Sequence, residues 1–127
     1  MDIFATALPA LGEALTLIFH PQQIMFLVAG VLLGLSIGVL PGLGGIAGLS
    51  LVLPFLFGIE PVSGLALMVG LIAVVPTSDT FSSVLLGIPG SSASQATVLD
   101  GFPLAKKGQA ARALSAAFMS SLIGGLL

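Results

Sequence analysis

No lysine or arginine occurs between Met1 and Ala105. A stretch of that length without a basic side chain has few ways to fold in water. What fills it is a series of apolar runs separated by proline, glycine and serine. Only 6% of the chain is charged and 57% is hydrophobic, whereas a soluble domain carries about a quarter charged residues. Such a chain cannot cover a globule with polar surface. The expectation is an all-α integral membrane protein with the lipid bilayer as its solvent. A formal net charge of −2 gives nucleic acid nothing to bind. There is no cysteine, so no redox compartment can be read. Met1-Asp2 lacks a basic n-region, and Pro9, Gly12 and Glu13 interrupt the first apolar run, so no cleaved signal is expected.

Taken in order, residues 1–20 predict a helix at the membrane interface or crossing obliquely, with Glu13 inside it and His20-Pro21-Gln22-Gln23 punctuating its end. His20 reads as an interfacial polar residue, since a catalytic or metal role would need partners and there is no second histidine. Residues 24–57 predict a membrane helix over Ile24–Leu40, a break at Pro41-Gly42-Leu43-Gly44-Gly45, and a re-entrant or half-membrane helix up to Phe57 that Pro54 interrupts. Gly30, Gly34, Gly38 and Gly42 recur every four residues, which puts glycine along one helix face and lets another backbone approach. Gly58-Ile59-Glu60-Pro61 reads as a turn, with Glu60 exposed. Residues 62–99 predict a second helix interrupted at Pro76-Thr77-Ser78-Asp79-Thr80, resuming at Phe81 and broken again at Pro89-Gly90. Residues 100–109 predict a loop. The three basic residues, Lys106, Lys107 and Arg112, place it in the cytoplasm by the positive-inside rule. Residues 110–127 predict the start of a further helix, with Ala110, Ala113, Ala117, Ser121 and Gly124 on one packing face. No polar tail follows Leu127, so the expectation is the N-terminal part of a longer protein.

The most informative stretch is Gly87-Ile88-Pro89-Gly90-Ser91-Ser92-Ala93-Ser94-Gln95, inside twenty residues free of Asp, Glu, Lys and Arg. Proline breaks a helix, and irregular backbone at membrane depth is tolerated only inside protein or along a wet cavity. The same break occurs earlier, as Leu40-Pro41-Gly42 against Ile88-Pro89-Gly90. Paired broken helices point to a transporter binding site. The second half of a broken helix starts with unpaired N–H groups and a positive dipole end, which suit an anion. The candidate solute site is therefore Pro41, Gly42, Gly44, Gly45, Pro89, Gly90, Ser91, Ser92 and Ser94, and the solute class is a carboxylate. A helix end supplies only about +0.5 charge, so a coupling cation, sodium or a proton, is the expected supplement, with no other cofactor. Thr77, Ser78 and Asp79 are its candidate ligands. Pro76-Thr77-Ser78-Asp79 also reads as a helix-start cap, and both roles stay open.

These residues resemble the opening of the large membrane subunit of the bacterial tripartite tricarboxylate transporters. The resemblance lies in Gly38-Val39-Leu40-Pro41-Gly42-Leu43-Gly44, Leu53-Pro54, Gly58, Pro61-Val62-Ser63, Ser83-Val84-Leu85-Leu86-Gly87-Ile88-Pro89-Gly90 and, most specifically, Ala96-Thr97-Val98-Leu99-Asp100-Gly101-Phe102-Pro103-Leu104-Ala105-Lys106-Lys107-Gly108. It implies a multi-pass protein of the bacterial inner membrane built from two related halves of opposite topology, of which this chain supplies most of the first. It implies a small membrane subunit and a periplasmic solute-binding protein as partners, and ion-driven import of citrate or other carboxylates. Many members carry a Tyr/Gly-rich segment where this chain has Ala73–Phe81, so the solute is taken only as a carboxylate.

Two other classes compete. A packing or assembly module that transports nothing has no need for unsatisfied backbone at membrane depth, and a channel would be separated by the absence of gradient dependence. An intramembrane serine protease needs a base beside its serine, and neither His20 nor Lys106 and Lys107 is placed to serve.

Overall fold

The computed structural model describes residues 2–127. Within them the chain forms six α-helices: α1 (Ile3–Ile18), α2 (Pro21–Val39), α3 (Gly45–Leu56), α4 (Pro61–Leu86), α5 (Gln95–Lys106) and α6 (Ala110–Leu126), with one 3₁₀ turn over Ser92–Ser94 ahead of α5. The all-helical expectation holds for the described residues. Two helices, α2 with 19 residues and α4 with 26, are long and apolar enough to cross a membrane.

The fold is organised along α4, which at 1.5 Å per residue is about 39 Å long. Its first two-thirds lie against α2, and the glycines explain how. A Cβ on Gly34 would meet the Leu71 carbonyl oxygen at 2.6 Å. One on Gly30 would run into the Leu67 carbonyl, and one on Gly38 into the Ser78 hydroxyl. Reciprocally, a Cβ on Gly70 of α4 would strike the Leu27 carbonyl. The contacts climb both helices together, so α2 and α4 are parallel and touch backbone to backbone, as small residues permit. The fourth glycine of the series does not belong to this face: Gly42 lies past the end of α2, with nothing within 4 Å of its Cβ position.

Helix α3 runs back alongside both. Its first residue Gly45 faces Val75, Gly48 faces Ile37 and Leu71, and Leu56 reaches Gly64, so α3 is antiparallel to α4. Val52, Leu67, Leu71 and Val75 form the buried apolar centre of these three helices. The remainder of α4 carries the second half of the chain. Gly90 lies against Asp79, Gly101 against Val84, and Gly87 against the Phe102 ring. Gly87–Ser91 therefore doubles back from the end of α4 to the level of Asp79, and α5 climbs again beside it in the same direction. Helix α6 packs on this part, with Phe118 5.4 Å from Phe81 between ring centroids. Ala113 is buried there, but a Cβ at Gly124 would meet nothing within 4 Å, so only the first half of the small-residue face is covered. No residue of α1 is buried.

The structure differs from the sequence reading at three boundaries. Helix α2 begins at Pro21 rather than Ile24, because proline's fixed φ suits the first helical position, and Pro21-Gln22-Gln23 starts this helix instead of closing the one before. The predicted interruption at residues 76–80 is absent: α4 passes through Pro76 unbroken, as α3 passes through Pro54. Proline costs α4 one backbone hydrogen bond, but α2 packs along this stretch, burying Val75 and Ser78. Asp79 is thus a mid-helix residue and caps no helix start. Finally, the predicted loop at 100–109 is helical as far as Lys106, and the turn is confined to Lys107–Gln109.

Candidate functional site

The two Pro-Gly linkers meet at Asp79. The first linker, Leu40–Gly44, brings the Gly44 N–H to the Gly90 carbonyl of the second at 3.1 Å. Gly90 in turn donates its own N–H to Asp79 Oδ1 at 2.7 Å. The Ser91 hydroxyl donates to Asp79 Oδ2 at 2.6 Å. From α4 itself the Ser83 hydroxyl lies 3.5 Å from Oδ1. Asp79 is only 3% exposed. A carboxylate so buried is stable only when hydrogen-bonded, and the linker supplies two of its three donors. The close approach depends on glycine, since a Cβ at Gly90 would run into Asp79 Oδ1. Gly44 has φ +23° and ψ 170°, a backbone that side chains rarely adopt.

Beside this junction is an open cleft of about 410 Å³, lined among others by Gly45, Ile46, Asp79, Ser91, Ser94 and Thr97. Two helical segments start at its edge and run in opposite directions, α3 from Gly45 and the 3₁₀ turn leading into α5 from Ser92. First-turn amides have no acceptor within their own helix, and each α-helix start carries about half a positive charge. The cleft therefore offers N–H donors from α3 and the Thr97 hydroxyl beside one buried carboxylate, while the Ser91 and Ser94 hydroxyls that also line it already donate to Asp79 and to the Ser91 carbonyl. The basic side chains are remote: Lys106 closes α5, which is about 18 Å long, and its ammonium sits 4.6 Å over the Phe102 ring.

The predicted site residues divide. Gly44, Gly45, Gly90, Ser91 and Ser94 come together, with the Ser94 hydroxyl donating to the Ser91 carbonyl at 2.9 Å and accepting from its N–H at 3.3 Å. Pro89 is half-buried in the linker. Pro41, Gly42 and Ser92 are exposed and stand outside the hydrogen-bonded junction. Of the three candidate ion ligands, only Asp79 belongs to it. Ser78 is buried on the α2 side, donating to the Val75 carbonyl at 3.0 Å and approaching that of Gly34 at 3.4 Å, while Thr77 is exposed. Three neighbours in a helix point to three different sides, which is why Thr77, Ser78 and Asp79 share no site. Sequence reasoning missed Ser83 beside the carboxylate and Thr97 and Ser121 on the wall of the cleft. Ser83 lies four residues after Asp79, a spacing that puts both on one helix face. Taking residues 61–86 as one helix would have exposed it.

Comparison with known proteins places the chain. The model of the family described as "Tripartite tricarboxylate transporter TctA family" matches residues 24–127. A protein of Agrobacterium vitis, described as "Uncharacterized 52.8 kDa protein in TAR-I ttuC' 3'region", is 34% identical over 125 residues, which are 98% of this chain and 24% of that protein. The chain thus spans about a quarter of that relative's length. No solved structure matches. With both breaks, Asp79 and the whole of α5 inside the matched region, the chain belongs to the tripartite tricarboxylate transporter TctA family.

Proposed function

We propose that this chain is the first part of the large membrane subunit of a secondary transporter importing carboxylates, and that the junction at Asp79 is one wall of its solute site. The observation that carries this reading is the Gly44 N–H to Gly90 carbonyl bond, because it unites the two broken segments at one point beside a cleft. Family membership supports the transport class. The solute class follows from the donors: a carboxylate entering the cleft finds the first-turn amides of α3 and the Thr97 hydroxyl. A helix start supplies only about +0.5 charge, so a cation carried in with the solute, sodium or a proton, completes the balance.

The membrane reading rests on a surface of inverted polarity. Phe4, Leu32, Ile46, Phe55 and Leu99 are among many exposed large apolar residues, while Ser63, Ser78, Asp79, Ser82 and Ser83 are buried. Water selects the opposite distribution, and lipid accommodates this one. In this reading the subunit is a multi-pass protein of the bacterial inner membrane with Lys106, Lys107 and Arg112 on the cytoplasmic side. A second half of the protein, an inverted repeat of this one, closes the open side of the cleft. A small membrane subunit and a periplasmic solute-binding protein complete the system. The test is uptake of labelled carboxylates, with and without a sodium gradient, by cells making the full-length protein and its partner subunits. One carboxylate should enter in a gradient-dependent way, and Gly90→Leu should abolish its entry at unchanged protein level. Normal uptake by Gly90→Leu would remove the junction from the site.

A further inference from the structure

We infer that Asp79 is a positioning residue: its carboxylate is the clamp that holds both Pro-Gly linkers in register, and its part in transport is exerted through them. The carboxylate offers about four lone-pair sites, and three donors occupy it: Gly90 N–H at 2.7 Å, the Ser91 hydroxyl at 2.6 Å and the Ser83 hydroxyl at 3.5 Å. A cation seeking this carboxylate finds about one lone-pair site left. Its two oxygens hold two consecutive residues, Gly90 on Oδ1 and Ser91 on Oδ2. That fixes the peptide plane between them, and so the direction of the Gly90 carbonyl. That carbonyl is the acceptor for Gly44 at 3.1 Å. Asp79 thereby sets the position of the first linker, thirty-five residues away in sequence, without touching it. The fit requires glycine at position 90, where a Cβ would occupy the place of Oδ1.

A clamp needs acceptor geometry rather than charge, and asparagine retains most of it. Its amide oxygen accepts from Gly90, and its NH₂ donates to the Ser91 oxygen, whose hydroxyl rotates to suit. The test is amide hydrogen exchange, by mass spectrometry, on the full-length protein purified in detergent, following the peptides that contain Gly44 and Gly90. Asp79→Ala is expected to speed exchange at both glycines at least tenfold, although only Gly90 touches Asp79. Asp79→Asn should bring both back to within threefold of wild type. Ser91→Ala, which removes one bond and keeps the carboxylate, should give an intermediate acceleration and serves if Asp79→Ala does not fold. Gly44 remaining protected in Asp79→Ala and in Ser91→Ala would overturn the inference.

The uptake arm rests on the transport reading above. Asp79→Ala should raise the half-saturating solute concentration at least tenfold, and Asp79→Asn should return it to within threefold. If Asp79→Asn is as impaired as Asp79→Ala while both glycines stay protected, the charge itself is used and the clamp role is wrong. A wild-type protein that takes up no carboxylate defeats the transport reading, and the exchange arm still decides this one.

Discussion

Replacing glycine by alanine should change stability in opposite directions at two helical positions, and the difference measures the α2–α4 contact. At Gly34 the new Cβ would stand 2.6 Å from the Leu71 carbonyl oxygen, 3.0 Å from its Cα and 3.2 Å from its carbonyl carbon. All three are backbone atoms and cannot rotate away. Reaching ordinary contact requires the helices to separate by about 0.8 Å, and overpacking of this kind costs about 1–3 kcal/mol. Alanine regains up to about 1 kcal/mol of helix propensity, so the net expectation for Gly34→Ala is a loss of up to about 2 kcal/mol. At Gly12, in α1, nothing lies within 4 Å of the Cβ position. Only the propensity gain remains there, so Gly12→Ala should be neutral or stabilising by up to about 1 kcal/mol. The assay is reversible denaturant unfolding of the full-length protein in detergent micelles, with both variants measured against wild type under one condition. If Gly34→Ala matches Gly12→Ala, the backbones of α2 and α4 do not touch and the parallel packing derived from the glycines is wrong.

Two further outcomes are expected. Gly87 ends α4 with φ +70°, and a Cβ there would stand 2.8 Å from the Phe102 ring. Gly87→Ala should therefore destabilise the protein by about 1–3 kcal/mol, and the double variant with Phe102→Leu should recover only the ring's share, both read by the same unfolding assay. Lys106, Lys107 and Arg112 are the only basic residues of the chain and all are exposed, so Lys106→Glu with Lys107→Glu should weaken the orientation signal. A reporter fused after Gln109 should shift measurably from the cytoplasmic toward the periplasmic side, and an unmoved reporter would refute the assignment.

The all-helical architecture was legible in the composition. Long apolar runs punctuated by proline and glycine leave the backbone to be satisfied within each segment, which a helix does. Gly30, Gly34 and Gly38 announced a face for close packing because their spacing is a property of one helix. The two Pro-Gly breaks were legible for the same reason, since proline and glycine act on the local backbone wherever they stand. The partner of the glycine face was not legible, because nothing local says that Leu67, Leu71 and Ser78 lie opposite it. Nor was the passage of α4 through Pro76, where packing against α2 outweighs a local preference. That single miss displaced Asp79 from mid-helix to a supposed cap and hid Ser83, four residues on. Only the tertiary structure decided that Gly44, Gly90 and Asp79 meet, because bonds between residues so far apart in sequence depend on how the helices pack around α4, and no local pattern records that.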